Sequence, residues 1–309
     1  MSRHFDLVGK GILLTGGSSG IGAAIARQLA ARGCERVGIA ARGVERLNAL
    51  VDEIGSNQPQ PIPLQADLSK PGHARTLARE ATEALGRVDV LINNAGGAIH
   101  GLQWVAGDRT EGREMFETNF WSPLALISEL LPGMLERGSG AIANVTSTMQ
   151  VSPFPSMGHL AASKSALAIA TQTLRLEAER AGIHVLEAPF GMVDTAGLAE
   201  SALLPGGEVW MRTAPKGSAE GAAKRLIRGL EQQQRVVVYP RSMLPVYHLA
   251  FIGRAFSRAF SRYVDPASED LSVRGTHGSE AHKHVRSRWE ADHRTGSAGS
   301  SPGPPRLPR

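Results

Sequence analysis

Short apolar runs alternate with amphipathic stretches along most of this chain. The first run, residues 12–14, leads into Thr15-Gly16-Gly17-Ser18-Ser19-Gly20-Ile21-Gly22, and an amphipathic segment, residues 23–33, follows at once. That order predicts a strand, a glycine turn and a helix. Glycines open backbone angles closed to other residues and let a ligand come close to the main chain. A helix starting there aims free N–H groups and the positive end of its dipole at an anion, usually a phosphate.

Further strand-like runs occupy residues 36–41, 61–66, 88–92, 141–145, 183–188 and 235–239. Helical patterns fill the gaps at 44–54, 72–85, 110–135, 159–181 and 219–231. Strict alternation predicts an α/β fold, a doubly wound parallel sheet of about seven strands with helices on both faces. Ligands of such sheets bind beyond the carboxyl ends of the strands. The glycine turn, Asp67, residues 93–97 and residues 146–148 all fall at such ends, so they should line one crevice.

Composition narrows the class. Hydrophobic residues make up 42% of the 309 and charged residues 20%, enough to bury a large core. The single cysteine, Cys34, permits no internal disulfide and suits a reducing compartment. The N-terminal stretch lacks the apolar core of a signal peptide, and residues 242–253 fall well short of the ~20 apolar residues of a spanning helix. The expectation is a cytoplasmic protein. Net charge is +5, but the basic residues gather late in the chain, so no nucleic-acid partner is expected.

Three segments follow from the same pattern: a folded domain over 1–240, a helical extension over 241–264, and a disordered tail over 265–309 rich in Ser, Gly, Pro and Arg. The tail's His277, His282, His284 and His293 lack any fixed ligand spacing, so no metal site is expected. Residues 245–264 form a basic amphipathic pattern. Leu249, Ile252, Phe256, Phe260 and Tyr263 share one helix face, and Arg254, Arg258 and Arg262 the opposite one. The apolar face could close over the pocket or a neighbouring subunit, or it could rest on an anionic membrane as a peripheral contact.

Several motifs together resemble the short-chain dehydrogenase/reductase family over about residues 7–239. Residues 15–22 match its TGxxxGIG, residues 93–96 its NNAG, Asn119 its helix asparagine, and Ser147 and Lys164 its catalytic serine and lysine. The resemblance implies a Rossmann-type sheet, a small-molecule substrate and a homo-oligomer. It implies that Gly16, Ser18, Ser19, Gly20, Ile21 and Gly22 hold a pyrophosphate. Asp67 and the Leu68 backbone would fix adenine, and Asn94, Ala95 and Gly96 would line the adenosine ribose. Thr195 would touch the nicotinamide carboxamide, although the family's usual Pro-Gly before it reads Phe190-Gly191 here. Members specific for NAD usually carry an acid at the end of the second strand. This chain reads Ala40-Ala41-Arg42 there, and a guanidinium suits a 2′-phosphate, which favours NADP over NAD.

One departure stands out. The family pairs a tyrosine with the lysine four residues later, on one helix face, so that the ammonium eases the phenol's proton transfer. Four residues before Lys164, and thirteen after Ser147, this chain has Leu160. His159 is adjacent but lies about 140° round a helix from Lys164, and is expected to be an exposed bystander. Two functions remain open. One is an NADP(H)-dependent oxidoreductase acting on a carbonyl or secondary alcohol, with impaired or unusual proton transfer. The other is a non-catalytic NADP-binding sensor or scaffold. The apolar residues Leu203, Leu204, Val209, Trp210 and Met211 within 196–213 hint at a hydrophobic substrate under a lid.

Overall fold

The computed structural model describes residues 4–195, 215–261 and 274–275. Its first half alternates as the sequence pattern requires: β1 (Ile12–Thr15), α1 (Gly20–Ala30), β2 (Val37–Ala41), α2 (Val44–Gly55), β3 (Ile62–Gln65), α3 (His73–Leu85) and β4 (Val90–Asn93). Then come β5 (Ile99–His100), α4 (Gln103–Ala106), α5 (Thr110–Phe116), a π turn (Glu117–Trp121) and α6 (Ser122–Glu136). The second half holds β6 (Gly140–Ser147), α7 (Gly158–Ala178), β7 (Ile183–Phe190), β8 (Met192–Asp194), β9 (Lys216–Ser218) and α8 (Ala219–Glu231). Last are α9 (Leu244–His248), α10 (Ala250–Ser261) and β10 (Arg274–Gly275).

Six parallel strands form the central sheet in the order β3-β2-β1-β4-β6-β7. This is the Rossmann-type arrangement. All four β1 residues are buried because helices cover both faces. Ile12 and Leu14 pack with α1, α2 and α8, while Leu13 packs with α3, α6 and α7. Burying each such side chain stabilises the fold by about 1.5–3 kcal/mol.

The expected seventh strand, residues 235–239, meets β7 only through two isolated bridges, Glu187 with Val236 and Phe190 with Tyr239. The physical reason lies in β7. Glu187 N donates to Arg235 O, and Val237 N to Glu187 O, but Pro189 has no N–H to give the next rung. The small β8·β9 sheet, Met192–Asp194 beside Lys216–Ser218, was not visible in the pattern. The helix expected over 110–135 is interrupted by the π turn at Glu117–Trp121.

The helix expected over 245–264 breaks at Leu249, where ψ is 71°, into α9 and α10. Its contact with the body also differs. Ser152 Oγ donates to Gly253 O at 3.1 Å and lies 3.2 Å from Ser257 Oγ. A seam of small residues, Ser152 with Gly253 and Ser257, joins α10 to the domain. Leu249, Phe251 and Ile252 are left exposed beside Arg254 and Arg258. The side chains of Phe256 and Phe260, residues 262–264 and the apolar stretch 196–213 lie outside the described residues. So does the segment expected to be disordered, 265–309, except Arg274–Gly275, which pairs antiparallel with β5. Among the described residues no helix is long and apolar enough to cross a membrane.

Candidate active site

Between β1 and β4 the chain order reverses, which opens a crevice at the carboxyl ends of those strands. The glycine turn follows β1, with φ of +67° at Gly16 and +51° at Gly20. A Cβ on Gly22 would stand 2.0 Å from Gly16 O, so only glycine permits this tight turn. The Thr15 hydroxyl accepts the amides of Asn94 and Ala95 at 3.1 and 3.0 Å. In return Asn94 Nδ2 donates to Thr15 O and Gly16 O. These bonds clamp the turn to the end of β4.

The start of α1 is open to an anion. Ser19 is its N-cap but makes no capping bond, and the first turn holds no acid. Its first amides are thus available to a phosphate. Ser18 is half-buried, Ser19 exposed, and Ile21 packs on the core. Thr195 reaches the same place, since a Cβ on Gly20 would lie 3.1 Å from its Cγ2. A cradle of this shape fits the pyrophosphate and nicotinamide end of a dinucleotide.

At the far end, Arg42 is exposed just past β2, and no acid stands at that strand's end. Burial pushes the Asp67 carboxyl up, but hydrogen bonds from the Ser69 hydroxyl and amide, with the Arg42 and Lys70 charges, hold it below its ordinary value. Leu68 is buried, and its carbonyl accepts the Ser122 hydroxyl at 2.9 Å.

Of the remaining expected residues, Asn119 and Lys164 meet around Gly96, which is exposed in the crevice, while Ser147 ends β6. Lys164 is buried on α7 and donates to Val145 O at 2.8 Å. A Cβ on Gly96 would lie 3.3 Å from Lys164 Nζ and 3.2 Å from Asn119 Oδ1. The π turn adds a residue to one helical turn and faces Asn119 toward the β4 loop. Asn119 Oδ1 accepts Gly97 N at 2.9 Å, and its Nδ2 donates to Gly97 O and Ser163 Oγ at 3.0 Å each. Ser147 Oγ, at the end of β6, accepts Met149 N at 3.2 Å. Its hydroxyl proton stays available for another acceptor. Burial alone lowers the Lys164 ammonium to about 8.

The family model for short chain dehydrogenases matches residues 10–203. The chain belongs to the short-chain dehydrogenase family. It is 36% identical over 199 residues to a fatty acyl-CoA reductase of Mycobacterium tuberculosis, covering 62% of this chain and 65% of that protein. This chain therefore matches just under two thirds of that relative's length. A short-chain dehydrogenase from Sphingobium yanoikuyae in complex with NADPH superposes with a TM-score of 0.68, 24% identical, over 83% of this chain and 96% of that one. One from Burkholderia phymatum in complex with NAD gives 0.72, also 24% identical, over 85% and 99%. At that identity the two structures speak for the fold.

Within this short-chain dehydrogenase, Leu160 occupies the helix position four residues before Lys164 and packs against the small cluster of Ile99, Ala106, Met115 and Phe116. His159 is not the exposed bystander expected. It is buried, and its Nε2 lies 2.7 Å from Gly107 O, turned away from Lys164. The two other described tyrosines are also committed elsewhere. Tyr239 Oη accepts Ser218 N at 3.0 Å, and Tyr247 donates to Glu187.

Glu187 was missed in the sequence. It is fully buried on β7, and Thr146, Gln150 and Tyr247 donate to its Oε1 while Gln172 donates to Oε2. Only the odd placing of an acid inside an apolar strand run could have flagged it. Ser163 was likewise missed as the partner of Asn119. Cys34 is buried, and burial pushes its thiol up to about 11, so it is not a reactive thiol.

Proposed function

We propose that the chain is an NADP(H)-dependent oxidoreductase that interconverts a carbonyl and a secondary alcohol on a hydrophobic small molecule. The observation that carries this reading is the approach of Asn119 and Lys164 to Gly96 beyond β4, with Lys164 bonded to Val145 O two residues before Ser147 on β6. Bound there, a reduced nicotinamide supplies a hydride. Ser147 keeps its hydroxyl proton free to polarise a carbonyl oxygen. Lys164 is close enough to Gly96 to bond one ribose hydroxyl of a bound cofactor. Asn119 fixes the Gly97 backbone and so the wall of the pocket.

Arg42 supports NADP over NAD, as an exposed cation near Asp67 with no acid at the end of β2. The named activity of the mycobacterial relative, a fatty acyl-CoA reductase, supports a hydrophobic substrate. Titration with NADPH and NADH, followed by turnover of ketones of rising chain length, tests the reading. Tighter NADPH binding with measurable reduction is expected; no binding of either nucleotide overturns it.

Leu160 favours a second reading, a non-catalytic NADP-binding sensor or scaffold. Binding without turnover of any carbonyl would select it. We also infer a homo-oligomer through the long helices. Ile169 and Leu176, seven residues apart on α7, are 63% and 80% exposed. Residues 245–264 are proposed to touch an anionic membrane peripherally, since Phe251 and Ile252 stand in solvent beside Arg254 and Arg258.

A further inference from the structure

We propose that Lys164 is itself the proton donor in this chain, passing the proton through one water to the carbonyl oxygen that Ser147 polarises. The inference rests on the oxidoreductase reading above. It begins from what the other candidates among the described residues are doing. His159 turns to Gly107 O, Tyr239 to the Ser218 amide, and Tyr247 to Glu187. Both ends of the Asn119 amide are held by Gly97 and Ser163. Leucine carries no exchangeable proton, and a serine hydroxyl is too weak an acid to give one up unaided.

Lys164 is in the right place. Its Nζ lies under Gly96, at the floor of the crevice, and is bonded to Val145 O, two residues before Ser147 on the same strand. Val145 O takes one of the three ammonium protons. Leu160 is shorter than a phenol and packs toward Ile99 and Met115.

The chemistry also suits. Among the described residues no charged side chain perturbs Lys164; burial alone brings it to about 8. The ionisable groups on the packed elements are turned elsewhere: Glu117 on the π turn lies beside Ser122, Glu187 on β7 accepts Gln150 and Gln172, and His159 on α7 bonds Gly107. An acid with a pKa near the working pH is the effective kind. The step balances. The carbonyl carbon accepts a hydride from the reduced nicotinamide, and its former π pair takes a proton from the water. That water is reprotonated by Lys164, which is left as a neutral amine and recovers its proton from solvent.

The test uses the full chain with NADPH and a ketone. The amine-labelling rate of Lys164 against pH, read by mass spectrometry without cofactor, should show a midpoint at about 8. Reduction, as kcat/KM, should fall above that pH. Lys164→Arg keeps the charge and donors but cannot release a proton. It should bind NADPH within about threefold and lose at least about 100-fold in kcat, the usual scale for a lost general acid. A flat pH profile, or an active Lys164→Arg, overturns the proposal. So does an inactive natural chain whose Leu160→Tyr variant is active. If both bind NADPH and neither reduces any ketone, it is the oxidoreductase reading that fails.

Discussion

The Tyr247 hydroxyl donates to the Glu187 carboxylate at 3.3 Å, tying the first helix of the C-terminal extension to a buried acid of the central sheet. The same oxygen receives Thr146 and Gln150, which flank Ser147 in sequence. Tyr247→Phe removes one of four donors and should cost about 1 kcal/mol, the net worth of an ordinary hydrogen bond. Glu187→Leu leaves all four donors without their acceptor and should cost about 3 kcal/mol or more. Urea unfolding of the two variants measures both. Equal losses would mean that the tyrosine, not the acid, organises the cluster.

Buried Lys164 makes stability depend on pH. Its folded value is about 8, against 10.5 for an ordinary lysine. Between those values the unfolded chain binds more protons, so stability rises with pH through that window. At pH 7 the buried charge is a cost of roughly 3 kcal/mol, from about 1.36 kcal/mol per pKa unit. Lys164→Met should therefore be the more stable protein at pH 7, with an advantage that shrinks toward pH 10.5. A pH-independent difference between the two would contradict the depressed value.

Arg42→Asp should weaken NADPH binding by about 1.5–3 kcal/mol, as for a bond to a charged group. NADH binding should be spared or improved, because an acid suits a free 2′-hydroxyl. Fluorescence titration with each nucleotide decides it. Equal losses would remove Arg42 from the 2′-phosphate site.

The paired change Ile169→Glu/Leu176→Glu places two like charges on the exposed stripe of α7. Neither side chain is part of the buried core, so folding should be kept. Light scattering should show the natural chain as an oligomer and the variant as a monomer. An unchanged mass would place the subunit contact elsewhere.

The extension offers a separate test. Because α10 is bonded to Ser152 through Gly253 and Ser257, deleting it would disturb the domain. Arg254→Glu/Arg258→Glu leaves that seam alone. The natural chain should sediment with anionic vesicles at low salt and less at high salt. Each arginine near a membrane surface contributes about 1 kcal/mol, so the double reversal should abolish the binding. A natural chain that stays in the supernatant at low salt would rule out the membrane contact.

Much of the site was legible in one dimension, for a local reason. The glycine turn is contiguous, and Leu160 with Lys164 sits on one stretch of one helix. Their positions relative to one another follow from spacing. His159 was misjudged because the side of a helix that is buried depends on what packs there. Here Gly112 on α5 makes room, a Cβ on it lying 3.0 Å from the ring. The strand expected at residues 235–239 is reduced to two isolated bridges because Pro189 on the neighbouring strand breaks its ladder. No pattern within the run itself records that.

Sequence alone determined the alternation of elements, the strand–turn–helix that opens the crevice, and the placing of Leu160 one helical turn before Lys164. These depend on residue type and on spacings of a few positions, which the backbone geometry of helix and strand converts directly into faces and ends. Tertiary structure alone decided that Asn119 reaches Gly97 through a π turn, and that four donors from β6, α7, α9 and the turn after Ser147 converge on Glu187. It also decided that Gly253 and Ser257 of α10 face Ser152 of the domain. Each of these joins residues from separate parts of the chain. Their partners are chosen by packing across the core, which local periodicity does not encode.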